Sequence, residues 1–359
     1  MSVNASANIS LGVAGFGLLL LLFRMWPRRP RAAAGDPSVW PLVSIVVPAR
    51  NEEAVLSHLL SSLQKLDYPD YEVIVVDDCS EDATAAIAAA HGARVISGQE
   101  RAAGWHGKQW ACAQGAGAAR GDYLLFTDAD TVHRPSSLRL AIREMIATRA
   151  DGFTALPEHI CQDWWEKLCG PFHVLLLAAT NPYGQARPGQ VYAIGQYLIF
   201  ERQAYVKLGG HARVKDDWVE DIPLAQALLR DGGRWHVHRG EHLFAVRMYA
   251  SLADFVKGWR RNFRAGMSYS YPGTGLEIAL FIAALLGGGR WPHPLALALT
   301  LSTLFAMAPM QKSLGRFSRW GLLAFPFALG LFCYVSVLAV FDLGLRRPMI
   351  WKNRSYSAS

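Results

Sequence analysis

The chain reads as an α/β protein: a mostly parallel sheet with helices on both faces, carried between apolar helices at the two ends of the sequence. Three observations predict this. Short apolar runs rich in β-branched residues alternate with helix-period segments from residue 43 to residue 149. Several of those runs end abruptly in acidic residues. Long apolar stretches lie before Arg24 and after Gly275.

Composition narrows the class. With 359 residues the chain makes one large domain or two ordinary ones. Its hydrophobic content of 52% and mean hydropathy of +0.13 point to membrane contact. A net charge of +7 suits nucleic acid, anionic lipid or a phosphate-bearing substrate. The arginines cluster beside apolar segments (Arg24, Arg28, Arg29 and Arg31; Arg346 and Arg347), which favours lipid headgroups. No zinc-finger spacing or RNA-binding signature occurs, so no nucleic-acid partner is expected. The five cysteines are odd in number and show no Cys-x-x-Cys spacing. They read as small buried residues in a reducing compartment rather than a disulfide framework.

In order, Val3–Phe23 is apolar with no positive charge before it and four arginines after it. That is the wrong polarity for a secretory leader and the right one for an anchor with its basic flank in the cytoplasm. A Pro/Ala/Gly-rich linker follows. Val43–Val47 reads as a buried strand, Ala54–Leu66 as a helix, Glu72–Val76 as a strand, Ala83–His91 as a helix and Ala93–Ile96 as a strand. Next come a helix at Lys108–Ala119, a strand at Tyr123–Thr127 and a helix at Pro135–Arg149. Asp151–Leu156 and Tyr192–Phe200 read as further strands, with Trp164 and Trp165 between them on a helix, either in the core or at a membrane interface. A helix opens at Asp221, strands are expected at Trp235–Val237 and Phe244–Met248, and Leu252–Arg264 is an amphipathic helix. Of the last apolar segments, Leu276–Leu286, Leu295–Met310 and Leu322–Leu343, only the third comfortably reaches the roughly 20 residues a span needs. An even number of crossings among them keeps the basic tail cytoplasmic.

Tyr123–Phe126 runs into Thr127-Asp128-Ala129-Asp130. A lone acid after a strand is usually a helix cap or a solvated turn. Here the ends Asn51-Glu52, Asp77-Asp78 and Asp128-x-Asp130 follow three strands expected to be parallel, which puts them on one edge of the sheet, where open α/β sheets bind ligands. Carboxylates are hard oxygen ligands suited to Mg²⁺ or Mn²⁺, ions that also bridge phosphates. No Gly-x-Gly-x-x-Gly follows the first strand and no Walker loop exists, which argues against a dinucleotide fold and a P-loop.

Pro48-Ala49-Arg50-Asn51-Glu52, Val76-Asp77-Asp78-Cys79-Ser80-Glu81-Asp82, Gly107-Lys108 and Thr127-Asp128-Ala129-Asp130 resemble, in order and spacing, the successive motifs of glycosyltransferase family 2. Gly104-Trp105-His106-Gly107-Lys108-Gln109-Trp110-Ala111 is similar to a loop of its membrane-bound carotenoid- and hopanoid-associated branch. The resemblance implies a GT-A fold over residues 42–265, an anchor at 1–30, membrane helices at 270–345 and a basic tail at 346–359. It implies a nucleotide-diphosphate sugar donor, UDP-linked, bound through Pro48, Asn51, Glu52, Asp77, Asp78, Lys108 and Asp128, with Asp128 and Asp130 as ligands of Mg²⁺ or Mn²⁺. Val219-Glu220-Asp221 matches the family's acidic pair, which makes Asp221 the catalytic base and Glu220 its orienting neighbour. The family's processive members carry Gln-x-x-Arg-Trp where this chain has Gly258-Trp259-Arg260-Arg261-Asn262, a departure that favours single transfer. Arg260 or Arg261 either neutralises the leaving diphosphate or forms a basic face on anionic lipid. His236, His238 and His242 are candidates for a third metal ligand, with no means of choosing among them.

The expected protein is an inverting, metal-dependent transferase. It is integral to the inner (plasma) membrane with its catalytic domain in the cytoplasm, and it moves one sugar to a carotenoid, hopanoid or other isoprenoid-type lipid acceptor. A sugar nucleotidyltransferase would want a Gly-rich first loop, which is missing here. A non-catalytic scaffold would not need acids at all four motif positions.

Overall fold

The structure, a computed structural model, describes residues 2–25, 35–239, 242–270, 273–345, 347, 349–351 and 354–356. Arg28, Arg29, Arg31, Arg346 and Lys352 lie outside the described residues.

Helix α1 (Ser2–Met25) is followed by β1 (Val43–Ala49), α2 (Leu56–Leu63), β2 (Tyr71–Asp77), α3 (Thr84–Ala90), β3 (Arg94–Ser97), α4 (Gly107–Ala118) and β4 (Tyr123–Phe126). Then come β5 (Thr131–His133), α5 (Ser137–Thr148), β6 (Gly152–Thr154), β7 (Glu158–His159), α6 (Trp164–Leu168), α7 (Gly170–Thr180), β8 (Leu198–Glu201) and α8 (Arg202–Leu208). The chain continues through α9 (Asp221–Arg230), β9 (Trp235–Val237), β10 (Phe244–Val246), α10 (Leu252–Tyr269), α11 (Thr274–Leu285), α12 (Pro294–Lys312), α13 (Trp320–Leu323) and α14 (Phe325–Gly344). A short hairpin, β11 (Met349–Trp351) and β12 (Arg354–Tyr356), closes it.

Seven strands form the main sheet in the order β3-β2-β1-β4-β8-β6-β9. β8 pairs antiparallel with both its neighbours, and the other pairings are parallel. The register sets Ala49 opposite Asp77 and Val46 opposite Phe126, so β1, β2 and β4 end close together on one edge. This is the alignment of acidic strand ends that the sequence predicts. β10 does not join this sheet; it lies between β5 and β7 in a separate three-stranded one. The expected strand Tyr192–Phe200 is shorter, because residues 192–197 form an irregular approach to β8 that runs past the acids.

The strands alternate faces as the pleat requires. Val46, Ile74, Val76, Leu124 and Phe126 enter one core, and Val43, Ile45, Val47, Val75 and Leu125 the other, with α2 and α5. Each buried aliphatic side chain contributes about 1.5–3 kcal/mol. The first core does not stop at the sheet and its helices. It continues without a break into Phe281, Leu285, Met307, Met310, Phe332 and Val335 of the carboxy-terminal apolar helices. The tryptophan pair is divided: Trp165 is buried, while Trp164 is 66% exposed with its ring 6.0 Å from that of Phe327 on α14.

Among the described residues, three helical stretches are long and apolar enough to cross a membrane: Asn8–Met25, Pro294–Lys312 and Phe325–Gly344. The middle one exceeds the sequence expectation, because the helix starts at Pro294 and carries through Pro309 to Lys312. α11 has 12 residues, about 18 Å of helix, too short for a core of about 30 Å.

Gly115 accounts for the Gly-x-Gly run in α4. A Cβ there would sit 2.4 Å from Val46 Cγ1 and 3.0 Å from Val76 Cγ2, so the bare backbone lets the helix lie against the sheet. Gly115→Val is expected to destabilise the protein by about 1–3 kcal/mol through overpacking, read as a fall in Tm of the full chain in detergent. An unchanged Tm would mean that α4 is not seated this closely.

Candidate active site

Loop geometry brings the acids together. Asp78 N–H donates to Ala49 O at 2.8 Å, and Arg50 Nη1 donates to Asp78 O at 2.7 Å, which ties the ends of β1 and β2. Asn51 sits at φ +53°, a left-handed position that Asn tolerates better than most residues. Its N–H donates to Ser80 Oγ at 3.0 Å and its Oδ1 accepts Glu81 N–H at 2.9 Å. Asp77 accepts Ser80 N–H through Oδ1 at 3.3 Å. Asn51 and Asp77 therefore build the two loops and do not line the cavity described next.

Pro48, Glu52, Asp78, Lys108, Asp128, Asp130, Glu220, Asp221 and Arg261 all line one cavity of about 1010 Å³. Residues more than 160 positions apart in sequence meet there. At its centre is Lys108, in the first turn of α4. Its ammonium lies 2.6 Å from Asp128 Oδ1 and 2.6 Å from Glu220 Oε1. Burial opposes this charge, but Asp128 and Glu220 more than compensate and hold the ammonium well above the ordinary lysine range. Lys108 thus bridges the two carboxylates. The start of α4 is held to the segment before Glu220 by His106 N–H to Lys215 O and Gln109 Nε2 to Asp217 O, both 2.7 Å.

Asp221 opens α9. Its Oδ2 accepts Gly195 N–H at 2.8 Å and its Oδ1 accepts Ile222 N–H at 2.7 Å. Burial, and then the Glu220 charge beside it, push its carboxyl up to about 7. Gly195 lies close under the bridge: a Cβ there would lie 2.3 Å from Glu220 Oε1 and 2.9 Å from Lys108 Nζ, so those side-chain ends would have to shift. Thr127 Oγ1 donates to Gln196 O at 2.8 Å and pins this irregular segment to the end of β4.

Asp130 bears on the expected divalent cation. Its Oδ1 is buried with no hydrogen-bond partner, and burial, followed by Asp128 and Glu52, raises its carboxyl to about 7. Crowded, under-satisfied carboxylate oxygens are what a hard cation relieves, so Asp128 and Asp130 fit Mg²⁺ or Mn²⁺. Among the described residues no three His, Cys, Asp or Glu side chains gather into a complete ligand set. The histidines do not join: His236 Nε2 and His238 Nδ1 each lie 3.0 Å from Glu144 Oε2, and neither they nor His242 lines the cavity.

The two arginines of α10 part company. Arg261 lines the cavity, whereas the Arg260 guanidinium pairs with both carboxylate oxygens of Asp342 on α14. The sequence singled out neither Asp342 nor Tyr249, whose ring lines the cavity and whose hydroxyl is 3.3 Å from Asn262 Nδ2. No motif marks either residue. The only cue to Asp342 is a lone acid in an apolar run.

The description "Glycosyl transferase family 2" matches residues 44–208. Proteins of Staphylococcus aureus strains MRSA252 and USA300, both named 4,4'-diaponeurosporenoate glycosyltransferase, are 27% identical over 333 residues, covering 88% of this chain and 88% of theirs. Among solved structures, the mannosyltransferase PcManGT from Pyrobaculum calidifontis, in complex with GDP-Man and Mn2+, superposes with a TM-score of 0.59 at 20% identity. The match covers 94% of this chain and 96% of that one, and it shows a shared GT-A fold.

Lys108→Met leaves Asp128 and Glu220 without their shared cation. The expected loss is about 3 kcal/mol at neutral pH, the low end for a broken buried pair because Asp128 is 30% exposed. The deficit is read by denaturant melts of the full chain at neutral pH, with Lys108→Arg, which keeps a cation there, expected to lose less. Equal stability of wild type and Lys108→Met would contradict the bridge.

Proposed function

We propose that this chain, whose residues 44–208 match glycosyl transferase family 2 and whose fold is GT-A, is an inverting, single-transfer enzyme moving a sugar from a nucleotide diphosphate to a lipid acceptor. One observation carries the reading: the cavity holding Asp128, Asp130 and Asp221 is also lined by Leu176, Ile278 and Phe332 from the apolar helices. The S. aureus relatives are named for a carotenoid-related acid, which supports an isoprenoid-type acceptor.

In this reading Glu52 and Asp78 hold the ribose and base beside Pro48. Asp128 and Asp130 would hold Mg²⁺ or Mn²⁺ on the diphosphate, an ion that neutralises negative charge on the leaving group when bound. Lys108 fixes Asp128 and Glu220 relative to one another and keeps a positive charge beside the phosphates. Arg261 adds a second cation; Arg260 is committed to Asp342 and is left out. Asp221 accepts the proton of the acceptor's oxygen as that oxygen attacks C1 opposite the departing diphosphate, which inverts the anomeric centre. Gly195 N–H holds one oxygen of Asp221, leaving the carboxylate oriented for that proton.

The domain sits against a membrane in this reading, with α1, α12 and α14 spanning it and α11 stopping short. Two carboxy-terminal crossings return the tail to the side of the catalytic half. Arginines after α1 favour the cytoplasm for that side. The fold relative holds GDP-mannose, so UDP- and GDP-linked sugars are both to be assayed as donors; the UDP reading predicts turnover of the former.

With a working donor and membrane lipid, Asp221→Asn should lower transfer by about a hundredfold to ten-thousandfold while nucleotide-sugar binding persists. In the wild type, kcat/KM should rise with pH through about 7, where the Asp221 carboxyl loses its proton, and that rising limb should be absent from the Asn variant. Full activity in Asp221→Asn would assign the base elsewhere. Chelation of divalent cations should abolish transfer and readdition restore it, measured as release of nucleoside diphosphate; activity surviving chelation would contradict the roles of Asp128 and Asp130.

A further inference from the structure

We propose that the acceptor's chain lies in a corridor walled by α7, α10, α11 and α14, entered sideways from the bilayer along the seam between α11 and α14, with Trp259 reading its oxygen-bearing end. This deepens the proposed transfer and rests on it.

Reach is the first argument. The cavity, of about 1010 Å³, is lined continuously from Asp128 at the sheet edge to Ile278 of α11 and Phe332 and Ser336 of α14, so one space joins the acids to the apolar helices.

The walls are braced as two separate sets. α11, too short to span, is backed by α1 so closely that a Cβ on Gly17 would sit 2.1 Å from Leu280 O. The end of α1 is tied to the start of α11 by the Arg24–Glu277 ion pair, while Arg24 Nη1 also donates to Ala178 O of α7 at 3.0 Å. α14 is instead fastened to α10, through Arg260–Asp342 and through the rings of Phe263 and Phe332, 5.3 Å apart. α7 packs against both sets. The corridor lies between them, and the seam is where a chain can enter without breaking either brace. On α14, Ser336 lines the corridor while Val337, Val340 and Phe341 are 65%, 55% and 56% exposed, an outward face fit for lipid.

Trp259 supplies the chemical selectivity. Its ring lines the cavity and packs at 5.4 Å against Phe172, yet Nε1–H is buried with no hydrogen-bond partner, in a residue only 9% exposed. A buried donor left unmade costs about 1–3 kcal/mol. An oxygen on the acceptor recovers that cost and a bare hydrocarbon does not. The ligand class is therefore an extended isoprenoid-type chain ending in a hydroxyl or carboxyl group.

The test uses the full chain in phosphatidylethanolamine–phosphatidylglycerol nanodiscs. The probes are all-trans-retinol and its oxygen-free analogue anhydroretinol, followed by the rise in their own fluorescence, with UDP- and GDP-sugar binding followed by calorimetry. Retinol should bind saturably and more tightly than anhydroretinol. Ser336→Trp, which fills the corridor, should weaken retinol about tenfold, and Val340→Trp, on the outer face, should leave it unchanged. Trp259→Phe should erase the preference for retinol while keeping anhydroretinol binding. Donor binding should persist in every variant. Saturable retinol binding that is equal in wild type and Ser336→Trp, or no saturable binding at all, overturns the corridor. A preference for retinol that survives Trp259→Phe overturns the role of that indole. A wild type that binds no nucleotide sugar overturns instead the transferase reading beneath it.

Discussion

The half-buried ammonium of Lys108 organises the acidic edge of the main sheet. Lys108 touches Asp128, which ends the fourth strand, and Glu220, which precedes the ninth helix. Carboxylates packed this densely repel one another, and burial raises the cost of each charge. The fold tolerates them only with a cation between them. That requirement explains local details that look unrelated: a glycine at 195, where a Cβ would crowd the bridge, and an α4 start stitched to the segment ahead of Glu220. Asp130, beyond the reach of the bridge's hydrogen bonds, keeps a buried carboxylate oxygen with no hydrogen-bond partner.

The second organising feature is a core shared between sheet and apolar helices. Phe172 of α7 contacts Phe255, Trp259 and Phe263 of α10 and Phe332 of α14 at ring separations of 5.1–5.8 Å. Aromatic contacts of this kind add about 0.5–1.5 kcal/mol each beyond area burial. A helix amphipathic enough to be mistaken for a surface element is therefore a buried hinge-pin between the two halves. Its arginines serve different masters: Arg260 secures the last helix and Arg261 faces the cavity. The site is accordingly not separate from the apolar helices, since helices that carry exposed apolar side chains on one side wall the cavity on the other.

Much of this architecture was legible in the order of residues. Periodicity is a local property, so the strands Val43–Ala49, Tyr71–Asp77 and Tyr123–Phe126 and the helices between them appeared close to their observed places. Parallel pairing of neighbouring strands follows from the intervening helices, which made it possible to expect Glu52, Asp78 and Asp128 on one edge. Irregular backbone carries no period: residues 192–197 looked like more strand, although they are the segment that reaches over to Asp221. The separate sheet of β10 was equally invisible, because a strand's sequence does not name its partner.

What the sequence determined alone was therefore the alternation of strand and helix, the acidic strand ends and the apolar segments, all set by interactions within a few residues. The tertiary structure decided which charges neutralise which, that Arg260 turns to Asp342 while Arg261 faces the cavity, that His236 and His238 pair with Glu144 while His242 lies half-buried outside the cavity, and that one space joins the acids to the apolar helices. These depend on distances between segments up to hundreds of residues apart. Such distances emerge only when burial of both faces of the sheet has fixed how the helices pack.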